Sequence, residues 1–149
     1  VPCIIELKGS DPAVARRAVE VVRAAGALAR VCFGGFTDAV LREARAQGAD
    51  VTTSAAKEEI RWFLYRSWVG LAPRTAAYRA FQVPETSGPT RVVSPRFVRA
   101  ATRAGLPVQV WTVDEPAQME KLLGWGVRGL ITDRPDLAVP VVRRWRAAH

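Results

Sequence analysis

Short apolar runs alternate along this chain with longer stretches in which apolar residues recur every three or four positions. The runs CIIELK, ARVCFGGF, DVTTSA, RAFQV, VVS, LPVQVWTV and VRGLIT are bracketed by turn residues, as in strands covered on both faces. Between them the spacing predicts helices. One follows Pro12, with Val14, Ala18, Val21, Val22 and Ala25 on its apolar side. Others run from a cap at Thr37 to Gln47, from about Ala56 to Val69, from Pro95 to Gly105, from Asp114 to Leu123, and from Pro135 onward. Ser94, Asp114 and Asp133 are natural N-caps, because a short side-chain oxygen accepts from the free amides of a first helical turn. Pro95 and Pro135 suit that turn, where no amide donor is needed. Gly105 and Gly124 suit the left-handed helix stop.

Strand-helix alternation predicts right-handed crossovers and a parallel sheet, hence an α/β fold. The sheet either opens as a doubly wound layer or forms part of a barrel. A complete (β/α)₈ barrel needs about 200 residues or more. With 149 residues and five or six strands, the chain fits a single-domain barrel fragment, a little over half of the whole. No apolar run is long enough to span a bilayer. The chain begins at Val1 rather than Met, so the lack of a visible leader has no weight.

Composition adds little chemistry. The net charge of +8 invites a nucleic-acid partner, but 19 Arg against 3 Lys are scattered along the helices. Arg16, Arg17, Arg23, Arg42, Arg45, Arg99, Arg103, Arg143 and Arg144 read as solvated outer faces, so no specific nucleic-acid partner is expected. Cys3 and Cys32 lie in strand-like runs without CxxC spacing, and read as buried reduced thiols of a cytosolic protein. Gly124, Gly126 and Gly129 spell GxGxxG, but a helix precedes and a strand follows. A dinucleotide site needs the reverse order.

The informative residues sit at strand ends. In CIIELK, Ile4, Glu6 and Lys8 share one strand face and Ile5 and Leu7 the other. Glu6 and Lys8 are either an ion pair at a rim or a metal-binding carboxylate beside a phosphate-attracting ammonium. Spacing alone does not separate the two. Phe36 and Trp111 close two further strands, and Asp133, better read as a cap, closes another. Their common place at C-terminal strand ends is where parallel barrels build active sites.

In that order the strings IELK, CFGGF, QVPE, VVSPRFVRAATRAGLPVQVWTVD and WGVRGLITDRPD closely resemble the C-terminal portion of the glycerophosphodiester phosphodiesterase family. The resemblance implies a TIM barrel, of which this chain is roughly the last five of eight strands. It implies a divalent metal, calcium or magnesium, and hydrolysis of small glycerophosphodiesters to glycerol 3-phosphate and an alcohol. By the same resemblance Glu6 matches a metal ligand, Lys8 a phosphate-holding lysine, and Phe36 and Trp111 the apolar wall for the glycerol part. The metal would offset charge on the phosphate oxygens, while two histidines act as general base and general acid.

The chain departs from the family in lacking the HRG and HD strands that bear those histidines and the remaining carboxylates, so no catalytic residue is assigned. Its one histidine is His149. Arg128 stands where aspartate is usual and Asp114 where asparagine is frequent; the Arg128 change is expected to weaken a polar network near the last strand. The expectation is a phosphodiesterase fragment, inactive without the N-terminal half of its barrel. The alternatives are a non-catalytic α/β binding or regulatory module and, behind it, a basic nucleic-acid-binding domain.

Overall fold

In the computed structural model, which describes residues 1–69 and 76–149, alternation of side chains along the apolar runs sets up each sheet. The chain divides into two compact units, Val1–Phe63 with Thr75–Ala80 and Leu64–Arg74 with Phe81–His149. In the first, β1 (Cys3–Leu7) leads to α1 (Pro12–Ala24), a 3₁₀ turn at Leu28–Arg30, β2 (Val31–Gly35), α2 (Asp38–Ala46) and β3 (Thr52–Thr53). The strands pair in parallel in the order β1-β2-β3, with Cys3 opposite Val31 and Leu7 opposite Gly35. Leu7 and Phe33 are buried against Val19 and Val22 of α1 and Val40, Leu41 and Ala44 of α2. Ile4 and Glu6 take the other, exposed face, as alternation predicts.

The buried stripe of α1 is Ala15, Val19 and Val22, with Ala18 half-buried, while Val14, Val21 and Ala25 are exposed. This corrects the predicted face by one residue. Alanine and valine occur on both sides of this helix, so two stripes of equal period compete, and only packing on β1 and β2 selects between them. Arg45 is also not a solvated residue. Its side chain is 15% exposed and binds Glu59 through both terminal nitrogens, at 2.8 and 2.9 Å. It also donates to Thr53 Oγ1 at 2.7 Å and to the Ser54 carbonyl at 3.0 Å, which joins α2 to the end of β3. Glu59 in turn accepts from the Ala56 amide at 2.7 Å, opening α3 (Lys57–Trp68). Cys3 is exposed rather than buried, because β1 is an edge strand, and Cys32 is half-buried.

In the second unit β4 (Phe81–Pro84) is followed by a small hairpin, β5 (Thr86–Ser87) and β6 (Thr90–Arg91), then α4 (Pro95–Arg103), β7 (Val108–Trp111), α5 (Pro116–Gly124), β8 (Gly129–Leu130) and α6 (Pro135–Ala148). The parallel order is β4-β7-β8, and only the hairpin is antiparallel among the described strands. Phe81, Val83, Val108 and Val110 are fully buried on one face, with Phe81 packed edge-on to Phe97 of α4 at 5.1 Å. Gln82 and Gln109 take the opposite face and share a hydrogen bond of 3.1 Å. Gly129 lets the Gln109 chain lie across β8: a Cβ there would come within 3.0 Å of its Cγ.

The predicted strand VVS is not one. Val92 and Val93 are buried, and their amides donate to the Glu85 carbonyl at 3.0 and 3.1 Å, closing the hairpin at its root. Ser94 caps α4 as expected, accepting from the Phe97 amide at 3.2 Å. Pro95 and Pro135 both open helices. Gly105 stops α4 at φ +71°, but after α5 the left-handed stop is Gly126, at φ +91°, not Gly124. A helix thus precedes Gly126 and a strand follows it, consistent with the rejection of a dinucleotide loop.

Candidate functional site

A parallel strand delivers its last side chains to the edge from which the following loop departs, so residues just beyond β1 and β2 share one end of the first sheet. Glu6 is paired across to Gly34, so its partner position on β2 carries no side chain. Lys8 lies one residue past β1 and Phe36 one past β2. The Lys8 ammonium is 3.2 Å from Glu6 Oε2; the two side chains are 79% and 43% exposed. Phe36 is 56% exposed, a large apolar ring left open to solvent. The structure therefore brings Glu6, Lys8 and Phe36 to one sheet end, accessible to a small anion with an apolar body.

A divalent cation needs more than this set offers. Calcium takes about six to eight oxygens. Among the described residues no group of three or more His, Cys, Asp or Glu side chains comes together. Glu6 can be one ligand of a metal, but the described residues do not by themselves fit a calcium or magnesium site.

Trp111 ends β7 in the second unit, opposite Pro84 in register and half-buried; its peptide bond to Thr112 is cis. The loops at this end are tied together by Asp114. Its Oδ1 accepts from the Thr132 hydroxyl at 2.8 Å and from the Asp133 amide at 2.9 Å, linking the turn after β7 to the turn after β8. Asp114 is therefore a loop clamp and not a cap: α5 is preceded by Glu115, which makes no capping bond. Asp133 is exposed and caps nothing; Arg134 occupies the position before α6, its amide donating to Thr132 Oγ1 at 2.9 Å. Arg128 is exposed, and only its backbone amide joins the sheet, donating to the Val108 carbonyl at 2.9 Å.

Glu85, just past β4, has a role that no sequence pattern announced. Its side chain is 13% exposed and accepts from Gln118 at 2.6 Å and Lys121 at 2.7 Å, both on α5. Burial alone would push its carboxyl up. The hydrogen bonds from Lys121 and Gln118, with the charges of Lys121 and Arg91, outweigh that and hold it below the usual carboxylate range. Its signal in the sequence was a carboxylate closing the apolar run RAFQVP. In the first unit burial pushes the Tyr78 phenol up to about 12; Glu59 adds to the shift and Arg45 opposes it. His149 lies at the end of α6, stacked on Trp145 with ring centroids 3.9 Å apart, and not at a strand end.

Residues 51–137 match the model of the glycerophosphoryl diester phosphodiesterase family. The chain is 36% identical over 127 residues to "Probable glycerophosphodiester phosphodiesterase 2" of Mycobacterium tuberculosis, an alignment covering 80% of this chain and 47% of that protein. Among solved structures it is similar to a protein from Silicibacter pomeroyi assigned to the glycerophosphoryl diester phosphodiesterases. The TM-score is 0.74 at 24% identity, over 96% of this chain and 50% of the other. It is also similar to a glycerophosphodiester phosphodiesterase from Parabacteroides distasonis, with a TM-score of 0.72 at 19% identity, over 99% and 58%. The chain thus spans about half the length of the curated relative and of these structures.

Proposed function

The chain belongs to the glycerophosphoryl diester phosphodiesterase family, and on that premise we propose that it supplies the substrate-binding strand ends of a phosphoric diester hydrolase acting on small glycerophosphodiesters. The observation that carries this reading is the family match over residues 51–137, which includes Trp111. Residues 1–149 are then part of one TIM-barrel domain, roughly its last five or six strands.

In this reading Lys8 donates to the phosphate oxygens, its exposed ammonium exchanging the Glu6 contact for the substrate's anion. Phe36 and Trp111 pack against the carbon skeleton of the glycerol part. These residues bind and orient the substrate; none of them moves a proton. The one histidine, stacked on Trp145, is not placed for general acid or base work, so residues 1–149 alone are inactive. Metal dependence, on calcium or magnesium, is the part of the reading to which this chain contributes only Glu6.

The second reading is a non-catalytic binding or regulatory module. The test is an assay of the protein as encoded, from its natural start, for glycerol 3-phosphate released from glycerophosphocholine. The expected result is turnover that falls by about a hundredfold or more in Glu6→Gln, with a raised KM in Lys8→Ala and no turnover by residues 1–149 alone. No release from the encoded protein would sink the hydrolase and leave the binding module.

A further inference from the structure

A helix packed on a sheet buries one face, and the opposite face ordinarily carries charge. The outer face of helix α3 carries charge, with Lys57, Glu58, Arg61 and Arg66 exposed and Arg61 ion-paired with Glu58, but it carries large apolar side chains as well. Phe63, Leu64 and Ser67 are buried, yet Trp62 is 65% exposed, Tyr65 53% and Trp68 52%, and Val69, just past the helix, 70%. Steps of three and four residues place Trp62, Tyr65 and Val69 on one stripe, with Trp68 beside Tyr65, edge to face at 5.3 Å. Arg61 and Arg66, both exposed, flank the aromatic rings.

We propose that this outer face of α3 docks the protein on an anionic phospholipid surface. Tryptophan and tyrosine have an apolar body and a polar tip, which suits the boundary between acyl chains and headgroups, and arginines beside them reach lipid phosphates. The net charge of +8 complements a negative surface and opposes a second copy of the same chain, which would bring +8 against +8. In (β/α) barrels helices form the outer ring, and further strands join at sheet edges, so additional barrel does not cover this face. The surface is independent of the phosphodiesterase reading: either can fail alone.

The experiment is flotation of the chain with vesicles of phosphatidylcholine and with vesicles containing roughly one third phosphatidylglycerol. Binding to the anionic vesicles is expected, weakened by salt, and reduced about tenfold or more in the double variant Tyr65→Ser/Trp68→Ser. A second measurement guards against a misfolded variant. Brominated phosphatidylglycerol should quench tryptophan emission in the unmodified chain, and Trp62→Phe/Trp68→Phe should keep the binding and lose most of the quenching. No flotation of the unmodified chain, equal flotation of the serine variant with its melting curve intact, or quenching unchanged in the phenylalanine variant would each overturn the proposal.

Discussion

Two carboxylates at strand ends have different fates because their surroundings differ. Glu6 is 43% exposed beside an exposed lysine, so it remains available to a ligand. Glu85 is 13% exposed and clamped by Gln118 and Lys121, so its work is to hold α5 against the root of the hairpin. Because its carboxyl is depressed in the folded state, the folded chain binds that proton less readily than the unfolded chain, whose glutamates titrate near about 4.3. The clamp's contribution is complete above that value and is lost as pH falls through the lower folded one. Glu85→Gln should therefore cost about 1 kcal/mol at pH 7, and the gap to the unmodified chain should close as thermal melts are repeated toward pH 3. A gap that stays constant down to pH 3 would mean that the stabilisation does not come from the ionised carboxylate. The alternation around Glu6 was legible because period two needs only the local sequence. The clamp was not, since Glu85 meets Lys121 across 36 residues.

At the scale of elements, caps and stops test how far local chemistry decides. Ser94 accepts from the Phe97 amide and opens α4, whose Phe97, Val98, Ala100 and Ala101 are buried. Ser94→Ala should cost about 1 kcal/mol and Ser94→Asp much less. Asp133→Ala, at an exposed residue that caps nothing, should stay within about 0.5 kcal/mol. Chemical denaturation of the three variants checks the ordering; equal losses at Ser94 and Asp133 would contradict the cap assignment. The order of strands and helices, and every proline named for an opening turn, could be read from the sequence, because those signals are local. Other details could not. Asp114 leaves its expected cap to bind the next loop, since two donors of the β8 turn outcompete the helix amides. The α1 face is one residue off because its alanines and valines fit two stripes. The hairpin at Thr86–Arg91 was missed, although Ser87-Gly88-Pro89 is a turn signal, because VVS beyond it imitates a strand.

For the whole molecule, the unpaired strand edges matter most. In the sheet β1-β2-β3, β1 pairs only with β2 among the described residues, and it exposes Cys3 and Ile4 there. In the sheet β4-β7-β8, β8 is an outer strand in the same way, whereas Ala80, at the entry to β4, is bridged to Ser54. An outer strand presents a row of unpaired N–H and C=O groups that another chain can extend. Charge works against this: at +8 two copies repel, and the repulsion weakens as salt screens it. The 149-residue chain by itself should therefore self-associate with concentration, and more so in high salt, as read by sedimentation velocity. Ile4→Lys places a charge on the β1 edge without touching the buried face of Leu7 and Phe33, so it should shift association to higher concentration while leaving the melting temperature nearly unchanged. Association that persists unchanged in Ile4→Lys would move the contact away from β1. A monomer at every concentration and salt, melting in one sharp transition, would show that these edges are protected and overturn the expectation that the chain alone associates through them.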